Sequence, residues 1–375
     1  PELITIPRYP NAGFNQEVTI TGAGIDATVL DGQNQGPVVS LGKYGHVFVS
    51  GVTIQNGTAL EGGGIYTEGY LHLTNSRLTG NRAGEHGGAL NSENDATTFI
   101  VDSLFEDNTA QWGGAVSSLY SYTDIKNSVL RDNIASDQGG ALLIDNGAVV
   151  VASSTLADNL ARDGGAIYQR ASILNLSSST LSGNQATRNG GALMVEDGAE
   201  ALMRQNTLSG SRAADGAISV DLAGKAYIFG NTIAGNNSSG ISFWDTPNVR
   251  IGSTLLADNT TGNCDVSIGS NLVGNLGFNL STDESCDFFA ATDQVVSDAL
   301  LGPLQHNGGP TQTIALLTGS PAVDMVPTDT CAELPTDQRG VPRPQDGDDD
   351  GQALCDAGAF ELVLGGEVFL PVMIR

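Results

Sequence analysis

The stretch Phe105-Glu-Asp-Asn108-Thr-Ala-Gln-Trp-Gly113-Gly114-Ala115-Val116 returns, in altered spelling, as Leu130-Arg-Asp-Asn133-Ile-Ala-Ser-Asp-Gln-Gly139-Gly140-Ala141-Leu142. An apolar residue stands three before an Asn, and a Gly-Gly pair follows before the next apolar run. Outward from this pair the Gly-Gly signal recurs at Gly63-Gly64, Gly87-Gly88, Gly164-Gly165 and Gly190-Gly191, then in degenerate form at Asp215-Gly216 and Ser239-Gly240. Counted on the second Gly (Gly64, Gly88, Gly114, Gly140, Gly165, Gly191), the step stays between 24 and 26 residues. The Asn signal keeps the same step through Asn81, Asn108, Asn133, Asn159 and Asn184.

Between the signals, apolar residues alternate with polar ones, as in Leu71 and Leu73, and helical spacing is absent. A unit of about 25 residues made of short strands cannot bury its own apolar face. It must stack on the next copy, strand on equivalent strand. The fold class that follows is all-β: a right-handed parallel β-helix, a solenoid of eight or nine coils. The Gly pairs allow tight corners, and the Asn column is expected to form an amide ladder at the bend.

The chain divides by composition into opening strands at 1–32, repeats at 33–262, a C-terminal cap at 263–364 and an apolar tail at 365–375. All four cysteines, Cys264, Cys286, Cys331 and Cys355, lie outside the repeats. Their spacing is wrong for a zinc site. They read either as two loop-closing disulfides, Cys264 with Cys286 and Cys331 with Cys355, or as four free buried thiols. The disulfide reading places the chain in an oxidising, extracellular compartment.

Acidic residues outnumber basic ones 42 to 16, for a net charge of −26. Such a field repels phosphate backbones and anionic lipid, so nucleic acid is excluded as a partner. No apolar run is long enough for a transmembrane segment, and neither an initiating Met nor a signal peptide precedes Pro1. An exported, trimmed chain is expected.

The Phe-x-x-Asn of Phe105 to Asn108 and the Gly-Gly-Ala runs resemble the repeats of polymorphic outer-membrane proteins and the wider pectin-lyase-like superfamily. The order Leu301-Gly-Pro-Leu304, Asn307-Gly-Gly-Pro-Thr311, Gly319-Ser-Pro-Ala322, Asp337-Gln-Arg-Gly340, Arg343 and Cys355-Asp-Ala-Gly-Ala-Phe-Glu361 resembles the choice-of-anchor Q segment of bacterial surface proteins. The resemblance implies export to the bacterial cell surface. It implies no particular reaction, because one scaffold carries many functions.

Chemistry is sparse. No cofactor is required by any motif. Asp346, Asp348 and Asp350 before Gly351 repeat the first half of a calcium loop, whose twelfth position is Ala357 instead of Glu, so calcium would need further oxygens such as Asp356. His46, His72, His86 and His306 share no metal spacing, and Lys43, Lys126 and Lys225 are far apart. Arg82, Arg131, Arg162, Arg188 and Arg212, with Asp107, Asp132, Asp158 and Asp163, recur near turns and read as turn charges. Trp112, Tyr120, Tyr122, Tyr168 and Trp244 could stack on sugars, but their coil phases differ.

The leading expectation is therefore a non-catalytic structural or adhesive protein of the bacterial exterior. A self partner would add end to end through exposed coil edges and a tail strand, Val368, Phe369, Leu370, Val372 and Ile374. The alternatives are a polysaccharide lyase or glycoside hydrolase, and a passive binder of cell-surface or matrix carbohydrate.

Overall fold

A computed structural model describes residues 4–6, 16–244, 248–266 and 274–364. The chain winds as a parallel solenoid. One coil runs through Ile65–Thr67, Tyr70–Thr74, Arg77–Thr79 and Arg82–Ala83 before the Gly87 corner opens the next. Equivalent strands stack into three long sheets. Sheet A has 11 strands, from Ile4–Ile6 to Cys264–Val266; sheet B has 11, from Gln16–Thr21 to Gly274–Asn275; sheet C has 12, from Val29–Asp31 to Gln294–Val295. A fourth, sheet D, has six short strands between Thr58–Ala59 and Gln185–Ala186.

The solenoid is thus longer than the eight or nine coils counted from the signals, and its ladders run beyond 33–262 at both ends. The extra coils need only strand stacking, as in Ile4 beside Val39 and Leu280 beside Gln294. Neither requires a Gly pair or an Asn.

Strand register also corrects the frame of one corner. Ile65 pairs with Leu90, which sets Gly63 beside Gly88 and leaves Gly64 in the column of Ala89. The three consecutive glycines at 62–64 hide this shift in the sequence. Gly62, Gly87, Gly113, Gly139, Gly164 and Gly190 carry the positive φ of the bend. The following glycine of each coil has no room for a side chain: a Cβ on Gly114 would meet the carbonyl oxygen of Gly140, and one on Gly140 that of Gly165. The corners at Gly88 and Gly165 are closed the same way, and that at Gly191 by the backbone of Arg212.

In-register stacking makes the core a set of columns. Ile54, Leu78, Phe105, Leu130, Leu156, Leu181 and Leu208 follow one another along sheet C, all fully buried. The bend after sheet C holds the amide ladder. Asn81 Nδ2 donates to Asn108 Oδ1 at 3.1 Å, and Asn108, Asn133 and Asn159 repeat this toward Asn133, Asn159 and Asn184 at 3.0 Å. Each also donates to a carbonyl of the preceding coil, as Asn133 does to Phe105. Asp107, Asp132 and Asp158 precede these Asn residues in the left-handed region, φ 54° to 56°, a conformation Asp tolerates better than most residues. Periodicity and turn geometry therefore account for them.

A second ladder stands at the bend between sheets B and C. The backbone N–H of Ser76 donates to Ser103 Oγ, that of Ser103 to Ser128, Ser128 to Ser154 and Ser154 to Ser179, at 3.1 to 3.2 Å. Its signal, a Ser two residues before each apolar residue of the Asn motif, was present in the sequence at the same step.

Cys264 is bonded to Cys286 and Cys331 to Cys355. The first bridge is buried at the last coils, where Cys286 joins the main core and Phe288 packs beside it. The rest of the C-terminal segment does not close the end of the solenoid as expected of a cap. It lies along the outer side of sheet C, packing Ile314, Leu316, Ala322, Val326 and Phe360 on Ala234, Leu255, Ala257 and Leu280. Gln338 anchors it, accepting from Thr207 Oγ1 at 2.7 Å and donating to Thr180 Oγ1 at 3.0 Å. The physical reason is in the late coils, where sheet C turns apolar on both faces, as at Leu255-Leu256, and the outward residue needs a cover.

The Asp337-Gln-Arg-Gly340 and Cys355-to-Glu361 motifs build the interior of this side segment. Arg339 pairs with Asp337 at 2.7 Å and lies over the Phe360 ring at 3.5 Å, while Arg343 pairs with Glu361 at 3.1 Å. The carboxylates also collect backbone N–H groups: Glu361 Oε1 and Oε2 from Gln345 and Asp356, and Asp356 Oδ1 and Oδ2 from Asp324 and Leu362. The expected tail strand, Val368, Phe369, Leu370, Val372 and Ile374, lies outside the described residues.

Candidate functional site

Strands of sheet A alternate like any others, yet their outward side chains are also buried. Asn91, Ser117, Leu143, Tyr168, Met194, Ser219 and Ser242 are successive partners along the ladder, each 3% exposed or less. They form the floor of a trough running along the solenoid. One wall is the corner column Glu61, His86, Trp112, Gln138, Asp163, set by the bridges His86–Trp112 and Gln138–Asp163. The other is the last residue of each sheet A strand, Glu93, Leu119, Asp145, Arg170 and Glu196.

The trough is amphipathic. The rings of His86 and Trp112 stack at 4.9 Å, and Trp112 Nε1 donates to Asp137 Oδ2 at 3.1 Å. Leu143, Tyr168 and Met194 make an apolar floor beside them. Arg170 on the far wall lines, with His86, Trp112, Asp137, Gln138 and Leu143, a half-open cavity of about 250 Å³.

Burial sets the charge states. His86 is held below the usual histidine range by desolvation, against the pull of Glu85 and Glu93. Glu196 is pushed up by burial, though Tyr168 Oη donates to it, and the Tyr168 hydroxyl is itself pushed up. Asp215 is raised by burial although Ser219 Oγ and the Gly190 N–H donate to it. Mid-trough carboxylates are neutralised by guanidinium groups: Asp137 by Arg162 at 2.7 Å, Asp145 by Arg170 at 2.6 Å, Asp163 by Arg188 at 2.6 Å.

The structure thus sorts the residues singled out in the sequence. Trp112, Tyr168 and Trp244 share the outer side of sheet A, at its corner, floor and far wall. They have different coil phases because the trough is wider than one strand position. Tyr122, His46 and His72 sit on the outer face of sheet B, among Phe48, Tyr70 and Phe99. Tyr120 is exposed in the turn between sheets A and B, and His306 is exposed in the side segment. Arg131, Arg162 and Arg188 pair with carboxylates of neighbouring turns. The trough itself was not read from the sequence, although Asn91, Ser117, Leu143, Tyr168 and Met194 recur at the coil step.

The acidic loop differs in membership. Oxygens of Asp346 and Asp348 converge with Asp324, all within 4.8 Å of one another. Asp350 is not in that group; its N–H donates to Asp346 and Asp348, and Asp356 is buried against Leu362. Asp324 enters because its carboxylate accepts the N–H groups of Gly347, Asp348 and Leu354, folding the loop around it. Three hard oxygen ligands of the kind calcium takes are thus gathered, each also holding a backbone donor.

A family described as a right-handed beta helix region matches residues 139–282. No curated protein matches the sequence. Among solved structures, the A-module of mannuronan C-5 epimerase AlgE6 from Azotobacter vinelandii is similar at 15% identity, with a TM-score of 0.28, over 72% of this chain and 70% of that chain.

Proposed function

We propose that the protein is a non-catalytic, extracellular binding protein of a cell surface, and that it lays a linear polysaccharide along the trough of sheet A. The observation that carries this reading is the outward face of that sheet, where Leu143, Tyr168 and Met194 share one line with Asn91, Ser117, Ser219 and Ser242, and the stacked rings of His86 and Trp112 stand beside it. A pyranose has the same two-sided character: C–H faces that pack on rings, and hydroxyls that pair with amides and carboxylates. Successive coils repeat at about 4.8 Å, so about one rung matches one sugar of an extended chain.

In the middle and later part of the trough, binding is favoured over bond cleavage by the state of the carboxylates. Hydrolysis needs two carboxyl groups free to hold and move protons. Here Asp145 and Asp163 are tied to Arg, Glu196 accepts from Tyr168, and Asp215 accepts from Ser219. The two disulfides fit an oxidising extracellular environment, and no helix among the described residues is long and apolar enough to cross a membrane.

The test is a panel of soluble polysaccharides in affinity electrophoresis with wild type and Trp112→Ala. Retention by at least one glycan, lost in the variant, supports the reading. Release of reducing or unsaturated ends during incubation would replace it with the enzymatic alternative.

End-to-end self-assembly is a second reading. It is favoured by the last strand of sheet C, Gln294–Val295, which is exposed and paired on one edge. Light scattering across protein concentration tests it; an unchanging monomer mass overturns it.

A further inference from the structure

The middle of the trough is neutralised by Arg, but the end formed by the earlier coils is not. Glu61, Glu68, Glu85 and Glu93 stand on two successive coils. Among the described residues none has a Lys, Arg or His within ion-pair distance. His86 feels Glu85 and Glu93, but burial outweighs them and holds it below its usual range. Glu61 is pushed up by burial and by Glu93 and Glu85, so these carboxyls feel one another.

Glu93 is held in place by neutral donors alone. Tyr66 Oη donates to Oε1 at 2.6 Å, Asn94 to Oε1 at 2.9 Å and Asn91 to Oε2 at 3.0 Å. They fix the carboxylate without cancelling its charge.

Asn91 supplies the independent observation. It is fully buried in the trough floor between Tyr66 and Ser117, and its Oδ1 has no donor. The bond from Nδ2 to Glu93 fixes which end of the amide is free, because the reverse orientation would set oxygen against carboxylate. A buried acceptor without a donor, beside uncompensated negative charge, asks for a ligand that brings both N–H groups and a positive charge.

A bare metal ion fits poorly. The only group of carboxylates with metal-ligand convergence among the described residues is Asp324, Asp346 and Asp348, so Glu61, Glu85 and Glu93 are more widely set than the ligands of a metal site. An ammonium, with three donors and a larger radius, suits such a spacing. The stacked His86–Trp112 pair alongside offers a ring surface for the body that carries it.

We propose, resting on the glycan reading of the trough, that Asn91 Oδ1 with Glu61, Glu85 and Glu93 forms a subsite for the protonated amine of an amino sugar. The polymer class that follows is a de-N-acetylated, cationic glycan, not a polyuronate, which the same carboxylates repel.

The experiment is isothermal titration of the full chain, at physiological salt, with glucosamine oligomers, their N-acetylated counterparts, oligogalacturonate and oligolysine. The glucosamine oligomer is expected to bind roughly tenfold or more tighter than the N-acetylated one, and Glu61→Gln/Glu85→Gln to abolish that advantage. Asp349→Asn/Asp350→Asn removes the same charge from the side segment and should leave it intact. Equal binding of both sugars, with loss in Trp112→Ala, overturns the amine subsite while the trough remains a glycan site. Binding of no sugar overturns both. Oligolysine binding as tightly as the amino sugar, or equal loss from the side-segment variant, would reduce the effect to recognition of a basic peptide or to general attraction by net charge, and overturns the subsite.

Discussion

In the coils, buried polar groups at each bend are met by neutral side chains repeated in place: the amides from Asn81 to Asn184 and the hydroxyls from Ser76 to Ser179. In the side segment, 299–364, the same need is met by charged groups that occur once: Asp337, Arg339, Arg343, Asp356 and Glu361. In-register stacking places each side chain about 4.8 Å from its twin. An amide at that spacing donates to the next, whereas a carboxylate would repel it. The side segment has a single short antiparallel pair, Leu301–Gln305 with Thr313–Leu316, so its backbone donors turn to carboxylates, and the two guanidinium groups balance those in turn. Repetition thus selects neutral columns where the side chains are buried, and aperiodic chain permits an ion cluster.

That contrast can be broken most severely at a corner. Gly140→Val forces a side chain into the carbonyl of Gly165, and the loss should be about 4 kcal/mol or more, seen as a collapse of the denaturation midpoint of the whole solenoid. Arg343→Met leaves Glu361 buried without its partner and should cost about 3–5 kcal/mol. The loss should be confined to the side segment, with early proteolysis there while the coils persist. Asn133→Leu interrupts the amide ladder and strands the donors and acceptors of its neighbours, at about 2–3 kcal/mol. If the ladder were decorative, the midpoint would not move.

A further expected effect is the pH dependence of the ion cluster. Asp356 is pushed up to about 8 by burial and by Glu361, and Glu361 is itself raised, chiefly by burial. Carboxyls of the unfolded chain titrate near 4, so between roughly pH 4 and 8 the folded state binds more protons than the unfolded one. Stability of the side segment should therefore fall as pH rises through that window. Asp356→Asn should flatten the slope, which denaturation midpoints at about pH 5 and about pH 8 would measure; an unchanged slope would remove Asp356 from the account.

The coil was legible because its signals are local. Phe105 with Asn108, and Gly113 with Gly114, are within one bend, so the sequence step reports the structural one. A local pattern fails where neighbours belong to different coils. Three glycines at 62–64 cannot be framed without the partner strand, and only Ile65 beside Leu90 places Gly63 in the corner column. The trough escapes a local pattern for the same reason: Trp112, Leu143 and Arg170 meet across three coils, at three different phases of the repeat.

By itself the sequence determined a parallel β-helix, because a repeat of about 25 residues with period-two strands has no other way to bury its apolar face. It also marked the bends, where Gly and Asn answer local backbone demands. Tertiary structure alone decided that one sheet carries a buried outer trough and that the C-terminal segment lies along sheet C instead of across its end. It also put Asp324, not Asp350, beside Asp346 and Asp348. Each of these depends on which coil lies next to which, and on packing between residues far apart in the chain, neither of which a local pattern encodes.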